Sequence, residues 1–226
     1  AGGHHFHRHA LTAVRAWERA RQEIALPDDL KAIVNLGIQL NHWDRVAAPW
    51  LSWMQVNAPD VATHVTSEYS DALMLRLRDG LLDAAILYDP QQRPELLIEP
   101  FMSDNLVLVS TAPREVNEGR VPGYVFVDWG DSFRAQHSQA FPQTPAPKLS
   151  VGLGTVGLQH ILKHGGSGYF LEENVTPLIA SGRLHRVANA PIFQRPTYLV
   201  YQENPIDEQL INTAISGLKV IAGTET

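Results

Sequence analysis

The chain has 226 residues, of which 44% are hydrophobic, with no cysteine and a formal net charge of −6. This length and apolar content suffice for one or two folded domains. The negative charge argues against a surface that contacts DNA phosphates, and the lack of cysteine excludes disulfides and thiolate chemistry. Residues 1–9 hold four histidines but no signal-peptide core, and no run reaches 18 apolar residues. We therefore expect a cytoplasmic protein without a membrane span.

The first predicted element is an amphipathic helix over residues 10–24, which stops before Pro27. Val14, Trp17 and Ile24 recur at helical spacing, and the remaining face carries charged side chains. Because the apolar stripe is narrow, we expect this helix to pack on one partner helix. It is typical of a connector, and these three residues are the predicted oligomerisation contacts.

Short apolar strands then alternate with helices. The predicted strands are 32–40, 62–67 and 82–88, and the predicted helices are 45–57 and 70–79. This alternation indicates a parallel sheet covered by helices. Two further apolar runs follow within residues 96–111, and the polar stretch 113–122 is predicted to separate two lobes.

A second alternation fills residues 124–202, and the last predicted helix is 206–221. The predicted strands there are 124–128, 149–151, 169–171 and 197–202, with helices near 133–140 and at 155–164 and 175–180. The economical interpretation is an α/β fold of two Rossmann-like lobes with a ligand cleft between them. The predicted domains are a linker helix at 1–27, a first lobe at 30–112 plus 203–226, and a second lobe at 113–202.

The segment Gly152-Leu-Gly154-Thr-Val-Gly157 matches the dinucleotide-binding pattern Gly-x-Gly-x-x-Gly. Its preceding strand is very short, and the six-stranded sheet of that fold cannot be drawn around it. A tight strand-to-helix turn is the favoured interpretation, with Thr155 capping the helix, whose N-terminus can bind an anion. Ser167 lies in a Gly-Gly-Ser-Gly segment after a helix, which is the wrong order for a nucleophile elbow. We predict no catalytic residue, no cofactor, no physiological metal site and no enzyme activity.

Trp43 and Trp129 follow apolar strands in corresponding loops of the two lobes, which makes them candidates for the cleft wall. Ser70 and Ser132 occupy turn positions after strands, where helix capping is the alternative to ligand contact. The two tryptophans and the helix N-termini, without an obvious arginine nearby, predict a partly apolar ligand with an anionic group that is bound with roughly micromolar affinity.

The order and spacing of several segments resemble the LysR-type family of bacterial transcription regulators over nearly the whole chain. The segments are Leu36-Gly37-Ile38, Pro49-Trp50-Leu51, Pro59-Asp60-Val61, Leu73 to Ile86 with Gly80 and Asp83, Val127 to Gly130 with Phe133 and His137, Gly165 to Leu171, and Ser181 to Leu184. No single segment is specific, but their succession is. The resemblance implies the effector-binding domain of such a regulator, with the winged helix-turn-helix missing before residue 1.

The resemblance also implies a homodimer or homotetramer, DNA contact only through the missing N-terminal domain, no membrane partner, and a small-molecule effector. The ligand contacts it implies are Asn41, His42, Trp43, Ser70, Trp129, Gly130, Ser132, Phe133, Thr155 and Val156. Many members place a small hydroxyl residue in the first loop, where this chain has Asn-His-Trp-Asp. The identity of the effector is therefore left open.

Two alternatives remain. A periplasmic-type solute-binding protein shares the two-lobed architecture, but the predicted linker helix and the lack of an export signal argue against it. A nucleotide-dependent enzyme built on the glycine-rich turn is the more distant alternative.

Overall fold

The computed structural model describes residues 17, 21, 26–27, 29–116, 123–142 and 146–223. Val14 and Ile24 of the predicted linker helix lie outside the described residues, whereas Trp17 is described and 70% exposed. The chain divides into two compact units. The first unit contains residues up to Met102 and again from Thr197 onward, and the second unit contains Ser103–Pro196.

The first unit is built on a sheet whose first three strands are parallel. Its strands are β1 (Ala32–Ile38), β2 (Val61–Ser67) and β3 (Ala84–Leu87), joined by parts of β4 (Leu96–Ser110) and β9 (Phe193–Gln202). Its helices are α1 (Ala48–Asn57), α2 (Ser70–Arg78) and the last helix, α6 (Glu208–Ala222). β1 pairs in parallel with both β2 and β3, as the sequence predicts. β9 pairs antiparallel with β3, in contrast to the parallel sheet that the sequence predicts.

Alternation along β1 explains why helices cover both faces of this sheet. Leu36 and Ile38 are fully buried in a cluster with Trp50 of α1 and Leu218 of α6. Gly37 points to the other face, where an added Cβ would lie 2.7 Å from Leu73 Cδ2 of α2. Successive residues of a strand face opposite sides of the sheet. β1 therefore packs against the helices on one face through large side chains, and on the other face Gly37 lets α2 approach its backbone closely.

A buried carboxylate fastens β1 to the entry of β3. Asp83 Oδ2 accepts a 2.7 Å hydrogen bond from the Asn35 backbone N–H, and the Asp83 backbone N–H donates to Asn35 O at 2.9 Å. Gly80 adopts φ +67° just after α2, which ends that helix and turns the chain toward the strand. The Gly-x-x-Asp spacing therefore sets the register at the centre of the first unit.

The second unit has a short parallel pair and an antiparallel ladder. β5 (Val125–Val127) pairs in parallel with β6 (Leu149–Val151). The second part of β4 pairs antiparallel with β7 (Ser167–Leu171) and with β8 (His185–Arg186). The helices are α3 (Asp131–Ala140), α4 (Gly154–His164) and α5 (Glu172–Ala180).

The chain passes from one unit to the other within strands, and not in loops. The boundaries predicted after residues 112 and 202 differ from the division of the chain into units, which falls within β4 and β9. The two apolar runs predicted at 96–111 form one strand, and β9 begins well before the predicted 197. Pro100 and Pro196 lie within these strands. Because proline normally marks an edge strand or the end of a strand, the sequence pattern predicts shorter strands here.

Candidate functional site

In the first unit, the predicted ligand residues gather where β1 and β3 end. After β1 the chain makes a short 3-10 turn, Leu40–His42, and a π-helical turn, Trp43–Ala47, which leads into α1. Asn41 Nδ2 donates a 2.5 Å hydrogen bond to the hydroxyl of Tyr88, the residue after β3. The buried His42 ring lies 4.9 Å from the Tyr88 ring, centroid to centroid. Trp43 is 44% exposed, so its indole is accessible for contact.

Ser70 begins α2 but does not cap it, contrary to the capping alternative. The residue preceding the helix is Tyr69, and no side chain caps the helix start. The Ser70 hydroxyl instead donates to Tyr88 O at 2.6 Å and accepts from Gln39 Nε2 at 2.5 Å. Ser70 therefore joins the first turn of α2 to the ends of β1 and β3.

In the second unit, Trp129 is a structural anchor. Its side chain is only 7% exposed, and its indole Nε1 donates to Tyr169 O of β7 at 2.9 Å. A Cβ added to Gly154, the first residue of α4, would lie 2.5 Å from Trp129 Cη2. The ring of Trp129 thus lies directly under the first turn of α4.

Gly130, Ser132 and Phe133 have three different environments. Gly130 adopts φ +101°, which favours glycine, and its N–H donates to Asp128 Oδ1 at 3.0 Å. Ser132 is exposed, and its hydroxyl accepts from Gln136 Nε2 at 3.1 Å. Phe133 is 2% exposed and belongs to the aromatic core. Of these three, Ser132 has the most accessible side chain.

Thr155 and Val156 lie exposed on the first turn of α4. The prediction that Thr155 caps this helix is wrong, because Leu153 is the cap residue and no side chain accepts a cap hydrogen bond. The first N–H groups of a helix lack acceptors within it, and the helix dipole makes this end favourable for an anion. The hydroxyl of Thr155 lies beside these groups on an exposed surface.

Packing accounts for the glycine-rich segment. Gly154 makes room for Trp129, and a Cβ on Gly157 would lie 2.8 Å from Val127 Cγ2 of β5. Both glycines are therefore needed for α4 to approach the strands. The Gly-x-Gly-x-x-Gly spacing has this explanation without a nucleotide.

Sequence reasoning missed three residues around these positions. Gln39 and Tyr88 connect the strand ends in the first unit, and Arg195 lies in the second unit with its guanidinium carbon 5.4 Å from the centre of the Trp129 ring. The sequence pattern predicts no arginine near the ligand residues. A cation over an indole face is an attractive arrangement, and no local pattern predicts a contact between residues so far apart in the chain.

Among the described residues, no group of three or more histidine, aspartate or glutamate side chains could hold a metal ion. His160 and His164 lie one helical turn apart in α4, with ring centroids 4.8 Å apart. Among the described residues, no third side chain joins them to form a metal site. No helix in the described part of the chain is long and apolar enough to cross a membrane.

Solved structures with the same fold include regulatory domains of bacterial proteins. The reduced OxyR regulatory domain of Pseudomonas aeruginosa is 17% identical, covering 85% of this chain and 97% of that one, with a TM-score of 0.65. ArgP from Mycobacterium tuberculosis is 17% identical, covering 95% of this chain and 75% of that one, with a TM-score of 0.68. The CcmR regulatory domain of Synechocystis, solved in complex with 2-PG, is 13% identical, covering 84% and 97%, with a TM-score of 0.67. No curated protein sequence matches the chain.

The two α/β units thus have the fold of the regulatory domains named above. The model of the LysR substrate-binding domain matches residues 34–215. The chain belongs to this family and is the effector-binding domain of a LysR-type regulator, which confirms the resemblance and the predicted fold class.

Proposed function

We propose that this domain senses a small, partly apolar molecule with an anionic group and controls a LysR-type regulator by binding it. The family match over residues 34–215 carries the proposal. A structural neighbour, the CcmR regulatory domain, was solved in complex with 2-PG, so a bound small molecule is compatible with this fold. Regulation would follow if the effector binds one arrangement of the regulator more tightly than another.

The chemistry of the predicted contacts supports an anionic group. The first turn of α4 offers N–H groups and the Thr155 hydroxyl, and Arg195 lies in the same unit beside Trp129. An anion at a helix N-terminus is favoured by roughly 0.3–1 kcal/mol when exposed and up to about 2 kcal/mol when partly buried. A nearby guanidinium adds charge-assisted hydrogen bonding. In the first unit, Trp43 offers an exposed apolar surface.

Effector binding is tested by thermal-shift screening of small metabolic anions, followed by calorimetric titration of those that stabilise the protein. We expect Thr155→Val and Arg195→Gln to weaken binding by about tenfold or more, since each removes a polar contact to the ligand. Thr176→Val in α5 is a matched control, because the Thr176 hydroxyl is exposed and donates only to Glu172 O of its own helix. Unchanged affinity in both test variants would show that these residues are not effector contacts.

We propose binding, and not catalysis, as the activity. Among the predicted residues, Ser70 donates its proton to a backbone carbonyl and not to a base, which leaves it without the activation that a nucleophile needs. Purified protein that converts an effector to product in the calorimeter would contradict this proposal.

We further propose that residues 1–27 mediate assembly, through Val14, Trp17 and Ile24, to a homodimer or homotetramer. The exposure of Trp17 supports this, since a large exposed indole is suited to a partner surface. Removal of residues 1–27 should lower the sedimentation mass while both units stay folded. An unchanged mass would contradict the proposal.

DNA contact is proposed to belong to a winged helix-turn-helix region of the regulator outside residues 1–226. A charge of −6 gives this chain no basic footprint for phosphates. In a gel shift at low salt we expect no salt-sensitive binding of DNA. Tight binding would place the DNA-contacting surface within this chain.

A further inference from the structure

A cavity of about 550 Å³ opens on the second unit, and none of the predicted effector contacts lines it. Its wall combines basic and apolar side chains from the segment after β4, from α5, and from β8 and the residues beside it. The basic residues are Arg114, His185 and Arg186, with Ile179 and Leu184 among the apolar ones and Glu115 as the carboxylate. The lining therefore combines two arginines, a histidine and one carboxylate with apolar side chains.

Arg114 is held in place by its backbone. Ala188 N–H donates to Arg114 O at 3.0 Å, and Val116 N–H donates to Ala188 O at 3.0 Å, so the segment after β4 is tied to the segment after β8. The Arg114 Nε is buried, yet no hydrogen-bond acceptor for it lies among the described residues. Buried guanidinium N–H groups almost always have an acceptor, because leaving one without a partner costs the full desolvation of a charged donor.

The second arginine of the cavity differs from the first because it has a partner. Arg186 forms an ion pair with Glu172, which also accepts a 2.8 Å hydrogen bond from Asn105 Nδ2. Arg186 is thereby held at the rim with its charge largely balanced. Among the described residues, Arg114 forms no ion pair. The apolar lining that a ligand could contact includes the partly buried Ile179, whereas Leu184 is fully buried.

We propose that this cavity is a second ligand site, distinct from the effector contacts, that binds an oxyanion attached to a small apolar body. A carboxylate or phosphate oxygen would accept from the terminal N–H groups of the Arg114 guanidinium, whose planar shape matches an oxyanion, while the apolar body covers Ile179 and Ala188. The site gives the regulator a second chemical input, independent of the effector proposed above.

Calorimetric titration of the full chain at low ionic strength tests the site with phenyl phosphate, hexanoate and uncharged phenol. Binding of phenyl phosphate, of hexanoate or of both, with phenol at least tenfold weaker, supports the proposal and tells a phosphate ligand from a carboxylate one. No heat from either anion up to about 10 mM, or equal binding of phenol, would overturn it.

Three variants locate the binding. Arg114→Gln should weaken the anion by about tenfold or more, because a charge-assisted hydrogen bond is lost. Arg183→Gln removes an exposed arginine that precedes Leu184 in the chain but does not line the cavity, and it should leave affinity within about twofold. Glu115→Gln removes the lining carboxylate and should tighten binding by about twofold to fivefold. If Arg114→Gln does not fold, the change in anion affinity in Glu115→Gln decides the question alone. Equal losses of affinity in Arg114→Gln and Arg183→Gln would indicate diffuse electrostatic attraction and would refute the site.

Discussion

Trp43 and Trp129 follow corresponding strands of the two units and look equivalent in the sequence, yet they have opposite environments. Trp43 is 44% exposed on a π-helical turn, while Trp129 is 7% exposed and donates its indole N–H to Tyr169 O. The first unit therefore presents its tryptophan to solvent, and the second unit uses its tryptophan to support α4. Equal positions along the chain do not imply equal roles.

The hydroxyl residues of the two units differ in the opposite sense, because the anchored one lies in the first unit and the exposed one in the second. Ser70 in the first unit is engaged with Gln39 and Tyr88, whereas Thr155 in the second unit is exposed on the first turn of α4. Among these four residues, each unit thus has one that is anchored and one that is accessible. This division separates effects on stability from effects on ligand binding, and mutation can test it.

The largest expected effect is that of Trp129→Ala. Loss of a buried indole with its hydrogen bond should lower the free energy of unfolding by about 3–5 kcal/mol. Trp43→Ala is the matched control and should cost about 1 kcal/mol or less, because much of its surface stays in water. Urea unfolding measures both, and similar losses in the two variants would refute the assigned difference.

Gly154→Ala should destabilise the protein by about 1–3 kcal/mol, since the new methyl group would lie 2.5 Å from Trp129 Cη2. The cost depends on the indole. A double-mutant cycle with Trp129→Phe, which removes that ring atom, should therefore show a smaller cost for Gly154→Ala. Additive effects in the cycle would mean that the helix and not the indole adjusts.

Ser70→Ala should lower the free energy of unfolding by about 1–2 kcal/mol, because Gln39 Nε2 loses its acceptor and Tyr88 O loses a donor. Thr155→Val should change it by less than about 0.5 kcal/mol, since Thr155 is exposed and caps nothing. The two variants are compared by thermal unfolding without effector. A larger loss in Thr155→Val would restore a structural role for that hydroxyl.

Much of the first unit follows from its sequence. The apolar runs at β1, β2 and β3, with helices between them, predicted the parallel pairing, and the Gly-x-x-Asp spacing marked Asp83. The start of the last helix was placed two residues early, because Ile206 continues the apolar stripe while Asp207 caps the helix by accepting from Leu210 N–H at 2.9 Å. In these elements local pattern and tertiary packing agree, so sequence reasoning suffices.

The contacts of the candidate site were harder to predict. The roles of Tyr88 and Arg195 depend on which strand ends become neighbours, and β9, which carries Arg195, pairs antiparallel with β3 against the expected alternation. The burial of Trp129 depends on a glycine at the start of α4. Tertiary contacts of this kind have no periodicity along the chain that could reveal them.

The smallest effect concerns pH and is expected only in the second unit, through His137. This residue is buried among Phe133, Phe141 and Tyr169, and its Nε2 lies 2.9 Å from the hydroxyl of Tyr124. Burial lowers the pKa of His137 below its ordinary value of 6.5, because the charged imidazolium is poorly solvated there.

Below pH 6.5 the unfolded chain therefore takes up a proton at His137 before the folded protein does. The stability linked to this residue is complete above pH 6.5 and is lost as the pH falls from there toward the lowered pKa of the folded state. The urea midpoint should thus decrease as the pH is lowered from about pH 7 to pH 5.

His137→Gln, which cannot titrate, should flatten this part of the profile. His160→Gln, an exposed control in α4, should leave the profile as in the parent protein. An equal slope in His137→Gln would assign the pH dependence to other groups and leave the buried histidine as a packing residue only.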